Sequence, residues 1–368
     1  MGGKIRLGII FGGKSGEHEV SLLSAASVMR NIDKNKYEII PIGITKQGEW
    51  LRYEGGIDAI ENGKWEAIAR ELYKKDPEKY DIHILGSKKL KDSMDVIFPV
   101  LHGPFGEDGT IQGLFEMADI PYVGCGVLGS SVAMDKGISK ELFARAGLPL
   151  CEYRLIYRRD FEKDPDEVLA TIEEEFSYPL FIKPANLGSS VGISKAHNRK
   201  ELLEGLSEAC KYDRRVVIEA FVNCREIEIA VIGNDVLKAS AIGEIIASKE
   251  FYDYEAKYLS DGKSKMCIPA DITEDEASRI EELALKAYVA LDCSGLSRVD
   301  FFLSKDTGEI FINEINTMPG FTAFSMVPLL WKEKGVAYGE LIDILIEYAF
   351  ERYNDKKKNI LEPEVQKR

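Results

Sequence analysis

Residues 296–326 read LSRVDFFLSKDTGEIFINEINTMPGFTAFSM, and this stretch predicts a β-hairpin with polar side chains on one face. Arg298 and Asp300 lie two positions apart, so both point to the same side of a strand, and Glu314 and Asn316 repeat this spacing on the partner strand. The residues Asp-Thr-Gly between them mark the turn. Two carboxylates and an amide oxygen suit Mg²⁺, and an arginine beside them suits an anionic substrate.

The turn that follows this hairpin favours a binding site over the alternative, a surface strand pair with a cross-strand ion pair. The residues after Asn316 are Thr-Met-Pro-Gly-Phe-Thr. In such a turn the Gly320 amide can approach a ligand closely.

The composition excludes several classes of function. A chain of 368 residues predicts two or three domains. Its 62 acidic and 48 basic residues give a net charge of −14, which argues against a nucleic acid or an anionic membrane as the main partner. Six cysteines without a C-x-x-C pair predict neither a zinc site nor a disulfide framework and favour the cytoplasm. We expect a protein that is neither secreted nor inserted in a membrane.

Alternation of strands and helices in roughly the first 125 residues predicts a parallel sheet with helices on its faces, ending in a short strand at PYVG. From residue 128, SSVAMDKGISKELFARAG reads as one helix that leads into a smaller α+β unit. The last unit holds the hairpin. Residues 52–92 are charged and give no clear assignment.

Two glycine patterns are weak evidence for nucleotide binding. Residues 8–15, GIIFGGKS, match the phosphate-binding pattern G-x-x-x-x-G-K-[ST], but three of the intervening residues belong to a predicted strand. Residues 124–129, GCGVLG, match a dinucleotide pattern too late in the first domain. A P-loop NTPase nevertheless stays open as an alternative.

A third loop carries more weight. Lys183 ends an apolar strand and is followed by the loop Gly-Ser-Ser-Val-Gly at residues 188–192, which predicts a lid over the phosphates of a nucleotide. The alternative is a polar hairpin loop with an exposed lysine. Glu219 and Glu226 lie in strands from which they could accept hydrogen bonds from an adenine or a ribose, although two such glutamates alone mean little.

Seven motifs, in this order along the chain, carry a resemblance to a known family: FGGKSGEHEVSL (11–22), HGPFGEDGTIQG (102–113), MDK (134–136), FIKPANLGSSVG (181–192), FYDYEAKY (251–258), SRVDFF (297–302) and NEINTMPGFT (313–322). Over nearly its whole length the chain resembles the D-alanine:D-alanine ligases of the ATP-grasp superfamily. This resemblance implies an α/β and α+β multidomain protein, with an ATP-grasp fold and an N-terminal Rossmann-like parallel-sheet domain.

The implied parts are an N-terminal substrate-binding domain, a central subdomain with the phosphate lid, a C-terminal subdomain with the metal and catalytic site, and a charged tail, at residues 1–127, 128–222, 223–352 and 353–368. The implied cofactors are ATP and two Mg²⁺ (or Mn²⁺) ions. By resemblance the nucleotide is bound by Lys136, Phe181, Lys183, Ser190, Glu219, Phe221, Glu226, Phe251, Lys257 and Asn313. The metal ligands are Asp300, Glu314 and Asn316.

The resemblance also assigns the substrate contacts. Glu19 corresponds to the carboxylate that holds the ammonium group of the first D-alanine, with Ser189 and Tyr258 as its hydrogen-bonded companions. His102 lies near the same amino acid, or caps the TIQG helix in the alternative interpretation. The remaining residues meet the oxyanion or the second D-alanine: Arg298, Gly320, Ser325 and Met326.

The implied activity is ATP-dependent formation of D-alanyl-D-alanine through an acyl phosphate, for peptidoglycan precursor synthesis. The substrates are D-alanine and ATP, and we expect a cytoplasmic homodimer whose loop 247–262 closes over the site. D-Serine is the alternative second substrate, because residues 41–50 and CSGLSRVD also resemble the D-serine-forming branch. D-Lactate is less favoured, because the EAKY sequence that ends in Tyr258 resembles the D-alanine type. From other classes, a P-loop NTPase and a non-catalytic nucleotide-binding regulator stay open.

Overall fold

The computed structural model describes residues 3–80, 92–246 and 265–360. Within these ranges the strands form three sheets, which we call the N-terminal, central and C-terminal sheets. None of the helices found there combines the length and the apolar character needed to cross a membrane.

The N-terminal sheet is the predicted parallel one. It contains β1 (Ile5–Gly12), β2 (Tyr37–Ile44), β3 (Trp50–Arg52) and β4 (Val96–Pro99). The strand order is β3-β2-β1-β4, with β1 parallel to β2 and β4 and with β3 antiparallel at the edge. The helices of this region are α1 (His18–Asn31), α2 (Ile57–Glu61), α3 (Trp65–Lys75), α4 (Pro77–Tyr80) and α5 (Thr110–Met117).

Helix α1 begins directly after the glycine-rich loop. Its apolar and small residues recur on one face, and this face is buried. The buried positions on this face include His18, Leu22, Ala25 and Met29. The predicted strand at PYVG is wrong, since Tyr122 makes only an isolated parallel bridge with Ile97. Gly124, at φ 97°, turns the chain away from the sheet immediately afterwards.

The central sheet follows two helices. It contains the strands β5 (Tyr153–Tyr157), β6 (Leu180–Pro184), β7 (Ser194–Ala196) and β8 (Arg215–Ala220), in the antiparallel order β5-β8-β6-β7. Its helices are α6 (Val127–Met134), α7 (Lys136–Arg145), α8 (Arg158–Lys163), α9 (Pro165–Glu175) and α10 (Arg199–Tyr212).

The single helix predicted from residue 128 is two helices. Asp135 adopts an extended backbone between them and caps α7 by accepting a hydrogen bond from the Ile138 N–H at 3.0 Å. The capped start fixes the direction of α7, and Lys136 is its first residue.

The C-terminal sheet contains the predicted hairpin. Its strands are β9 (Cys224–Gly233), β10 (Lys238–Ile246), β11 (Lys265–Cys267), β12 (Gly295–Ser304) and β13 (Ile310–Asn316), in the antiparallel order β11-β10-β9-β12-β13. Its helices are α11 (Glu274–Ala290), α12 (Met326–Glu333) and α13 (Tyr338–Lys356). A capping box between Thr273 and Glu276 starts α11.

One hydrophobic core joins the N-terminal sheet to α12 and α13. In it the ring centroids of Phe98 and Phe321 are 5.6 Å apart. The turn around Phe321 is also hydrogen-bonded to α1, because the Ala323 N–H donates to Ser27 Oγ at 3.0 Å. The segment after the hairpin is thereby held against the N-terminal sheet.

Candidate active site

Two adjoining cavities, of about 450 and 370 Å³, lie at the C-terminal sheet. The first, which we call the nucleotide cavity, lies between this sheet and the central sheet. The second, the substrate cavity, extends toward α1 and the turn after the hairpin. They share a common wall, so ligands in the two cavities would meet there. The residues of this wall are Glu226, Ile245, Phe302, Asn313 and Glu314.

The predicted hairpin is confirmed, with Arg298 opposite Asn316 and Asp300 opposite Glu314. The Arg298 guanidinium donates to Asp300 in a bidentate arrangement with two distances of 2.7 Å. Glu228, on the neighbouring strand, lies 3.1 Å from Arg298 Nε. Burial opposes the charge on Arg298, but Asp300 and Glu228 prevail and hold its pKa well above the usual value.

An irregularity in β13 places two adjacent side chains in the same cavity. The pairing shifts between Asp300 and Phe301, so that Asn313 is an extra residue in the ladder. Strict alternation would send Asn313 and Glu314 to opposite faces, but both line the nucleotide cavity.

Glu314 in the common wall and the neighbouring Asp300 and Asn316, which line the substrate cavity, fit a divalent metal. Asp300 and Glu314 offer carboxylate oxygens and Asn316 an amide oxygen, the hard ligands that Mg²⁺ prefers. In the part of the chain that the structure describes, no group of three His, Cys, Asp or Glu side chains gathers for a metal. The third protein ligand would therefore be the Asn316 amide, which now donates to Asp300 at 2.9 Å.

Lys183 is the last residue but one of β6 and lines the nucleotide cavity. Its ammonium group is paired with Glu219 and lies 3.4 Å from Asn313 Oδ1. Burial opposes the ionisation of Glu219, but the charges of the neighbouring lysines prevail and lower its pKa to about 2. The same carboxylate raises the pKa of Lys183 against the effect of burial.

Helix α7 supplies two lysines, one turn apart. Lys136 lies 3.1 Å from Glu314, and Lys140 is paired with Glu219. Lys140 was not among the predicted site residues, although its spacing of four from Lys136 places both on one helix face.

The other predicted nucleotide contacts gather in the same cavity, where the rings of Phe181 and Phe221 lie 6.3 Å apart. The described residues predicted for the nucleotide that line it are Lys136, Phe181, Lys183, Ser190, Glu219, Phe221, Glu226 and Asn313. Phe251, Lys257 and Tyr258 lie outside the described residues, as does the whole of the expected closing loop at residues 247–262.

The prediction for Glu19 is wrong about which carboxylate faces the substrate cavity. Glu19 lies on the outer side of α1, where its side chain is 62% exposed and is paired with Lys46. Glu17, directly before the helix, is buried, lines the cavity and accepts a hydrogen bond from Ser189 Oγ. The helix begins at His18, so the two glutamates point in different directions.

His102 lies at the wall of the substrate cavity and does not cap α5, whose N-cap is Gly109. Its Nδ1–H donates to the Met318 carbonyl at 2.9 Å. Glu107, 3.7 Å from the ring, was missed by the sequence analysis. Burial opposes the charge on His102, but Glu107 prevails and raises the pKa of the ring above its usual value.

The turn after the hairpin closes the substrate cavity, where Gly320, Ser325 and Met326 line the wall. Ser325 is the N-cap of α12, and its Oγ accepts from the Thr322 N–H at 3.0 Å. A hydroxyl at a helix N-terminus suits a carboxylate.

The two glycine patterns do not build a phosphate site. Residues 8–12 lie in β1 and do not form a phosphate-binding loop; the Gly12 N–H donates to Ser21 Oγ at 2.8 Å, and Lys14 is exposed. Gly124 packs against Met318 and lines neither cavity. The P-loop alternative is therefore not supported.

Comparison with known proteins agrees with this geometry. The family profiles described as D-ala D-ala ligase N-terminus and C-terminus match residues 6–125 and 142–347. Proteins named D-alanine–D-alanine ligase from Acetivibrio thermocellus and Ruminiclostridium cellulolyticum are each 52% identical to the chain, over 97% and 96% of it and 99% and 98% of their own lengths.

Solved structures give the same result. The VanG D-Ala:D-Ser ligase from Enterococcus faecalis is 39% identical, with a TM-score of 0.82, over 94% of this chain and 100% of its own. The D-alanine-D-alanine ligase from Coxiella burnetii is 32% identical, also with a TM-score of 0.82, over 96% of both chains. The expected ATP-grasp fold class is confirmed, and the chain belongs to the D-alanine–D-alanine ligase family.

Proposed function

We propose that the protein is an ATP-dependent, ADP-forming ligase that joins two D-alanine molecules into D-alanyl-D-alanine for peptidoglycan synthesis. The observation that carries this proposal is the wall shared by the two cavities, with the hairpin carboxylates between them. A nucleotide phosphate and a substrate carboxylate can meet only at such a junction.

The first step is phosphoryl transfer. A D-alanine carboxylate oxygen attacks the γ-phosphorus of ATP, giving an acyl phosphate and ADP. Asp300, Glu314 and Asn316 would hold two Mg²⁺ (or Mn²⁺) ions, which would neutralise the charge of the phosphates. Lys136 and Lys183 bring positive charge to the same cavity.

The first D-alanine is oriented by its ammonium group. Glu17 is the buried carboxylate available for it, and Ser189 holds Glu17 in place. Because Ser189 belongs to the glycine-rich loop that also carries Ser190 to the nucleotide cavity, the loop links both ligands.

The second step is amide formation. The neutral amine of the second D-alanine attacks the acyl carbonyl, and phosphate leaves. Arg298, fixed by Asp300 and Glu228, and the Gly320 amide would meet the oxyanion. Ser325 at the start of α12 would bind the carboxylate of the second D-alanine.

The second substrate needs its own test, because one structural relative is a D-Ala:D-Ser ligase. Equal concentrations of D-alanine, D-serine and D-lactate with ATP, from pH 6 to about pH 9, should yield D-alanyl-D-alanine as the main product by mass. Its rate should rise with pH, since the attacking amine must lose its proton. D-Alanyl-D-serine in excess would move the protein to the serine branch, and depsipeptide dominating near pH 6 would refute amide formation.

A non-catalytic regulator is tested separately by D-alanine-dependent phosphate release from ATP, which a regulator would not show.

We also propose a cytoplasmic homodimer that acts on small molecules without a nucleic-acid or membrane partner. The net charge of −14 supports the proposal that neither a nucleic acid nor a membrane is a partner. Sedimentation equilibrium should give twice the mass of the chain, and a monomer would refute the dimer.

A further inference from the structure

Lys140 is a lysine that the fold buries almost completely. It is 1% exposed, lies on the face of α7 that packs toward the central sheet, and has its ammonium group 5.4 Å from the ring centroid of Tyr153. Burying an ammonium group is costly unless a carboxylate compensates it. The only carboxylate that the structure pairs with it, among the described residues, is Glu219.

Glu219 also compensates a second ammonium group. One of its oxygens is paired with Lys140 and the other with Lys183, and all three side chains are buried. Two ammonium groups and one carboxylate leave one net positive charge in the cluster. If Lys140 were absent, Glu219 would neutralise Lys183 and the cluster would carry no net charge.

The other charges that line the nucleotide cavity balance one another, because Glu226 and Lys305 carry opposite charges and the remaining four side chains form two ion pairs. Lys136 lies beside Glu314, and Arg225 is bonded to Glu244. Lys140 does not line the cavity, whereas Lys183 and Glu219 do. Its effect on a bound ligand therefore passes through Glu219 and through its charge.

We propose that Lys140 is a positioning residue that shares Glu219 with Lys183 and so keeps one uncompensated positive charge at the nucleotide cavity for the phosphates of ATP. This inference rests on the proposed ATP-dependent function. It predicts that Lys140 strengthens the binding of the phosphates of the nucleotide and not the binding of its base.

The test compares ADP with uncharged adenosine. Dissociation constants are measured without divalent metal, by competition against a fluorescent ATP analogue, for the wild type, Lys140→Met, Glu219→Gln and the double variant. The readout is the ratio of adenosine to ADP dissociation constants, which isolates the phosphates. Lys163→Met, an exposed lysine on α8, is the control for loss of one positive charge elsewhere.

Lys140→Met should lower the ratio about tenfold, the scale of one charge acting through a protein-like dielectric. The double variant has one net positive charge in the cluster, as the wild type has, and should give a ratio close to the wild-type value. Glu219→Gln has two net positive charges and should give a ratio above the wild-type value. Lys163→Met should leave it unchanged. If Lys140→Met does not fold, the double variant and Glu219→Gln still differ only at residue 140, and their ratios should also differ about tenfold.

An unchanged ratio in both comparisons overturns the inference, as does an equal loss of adenosine and ADP binding, which would show a purely structural role. Both results would leave the proposed function intact. A wild type that binds neither ligand nor the ATP analogue would instead refute the nucleotide site itself, and the inference with it.

Discussion

Replacing Asp135 should destabilise the protein through two separable contributions. Its carboxylate caps α7 through the Ile138 N–H and also pairs with the Arg215 guanidinium. The side chains of Asp135 and Arg215 are 6% and 15% exposed, so removing the charge leaves a nearly buried cation without its partner, at a cost of about 3 kcal/mol. Asp135→Asn keeps a good cap and should lose about this amount. Asp135→Ala also loses the cap and should cost about 1 kcal/mol more.

Equilibrium urea unfolding followed by circular dichroism measures both variants. Asp164→Ala is the matched control, because Asp164 caps α9 through the Glu167 N–H but is exposed, so it should cost only about 1 kcal/mol. Asp135→Asn with wild-type stability would refute the ion-pair contribution. Equal stabilities for Asp135→Asn and Asp135→Ala would refute the cap.

Three further predictions concern the two cavities. Asp300→Ala should abolish turnover without unfolding the protein, because Glu228 still pairs with Arg298 when Asp300 is removed. Wild-type activity of this variant at ordinary Mg²⁺ would contradict the role of Asp300 as a metal ligand. In steady-state kinetics, Glu17→Gln should raise the KM for D-alanine roughly tenfold or more. Glu19→Gln loses only an exposed ion pair and should have a KM close to that of the wild type. A larger rise in KM for Glu19→Gln than for Glu17→Gln would support Glu19 as the residue that binds the ammonium group. Glu219, with a pKa lowered from 4.5 to about 2, contributes stability that is present above pH 4.5 and is lost as the pH falls toward 2. In urea unfolding, the stability difference between wild type and Glu219→Gln should narrow by about 2 kcal/mol between pH 6 and pH 3, and a constant difference would contradict this.

The hairpin could be predicted from the sequence because its information is local. Side chains alternate along a strand, and Asp-Thr-Gly marks the turn, so the residues Arg298, Asp300, Glu314 and Asn316 had to share a face. The extra residue at Asn313 could not be predicted in this way, because a bulge depends on how the partner strand pairs.

The errors at the substrate cavity have a similar cause. Glu17 and Glu19 flank His18, and which of them faces the ligand depends on where α1 begins and on which of its faces packs on the sheet. That boundary is uncertain by a residue or two in sequence analysis. Lys140 was missed for a different reason. Its spacing from Lys136 indicates a shared helix face, but its burial against Glu219 results from tertiary packing, which the sequence pattern does not show.

Transfer of oxygen from D-alanine to phosphate tests the central claim most directly. The protein is incubated with ATP, Mg²⁺ and D-alanine that carries ¹⁸O in both carboxylate oxygens, and the products are analysed by mass spectrometry. An acyl phosphate requires the attacking carboxylate oxygen to leave with the γ-phosphoryl group, so each D-alanyl-D-alanine formed should be accompanied by one ADP and one phosphate containing a single ¹⁸O. Dipeptide formed with unlabelled phosphate, or ATP hydrolysis without dipeptide, would contradict the account.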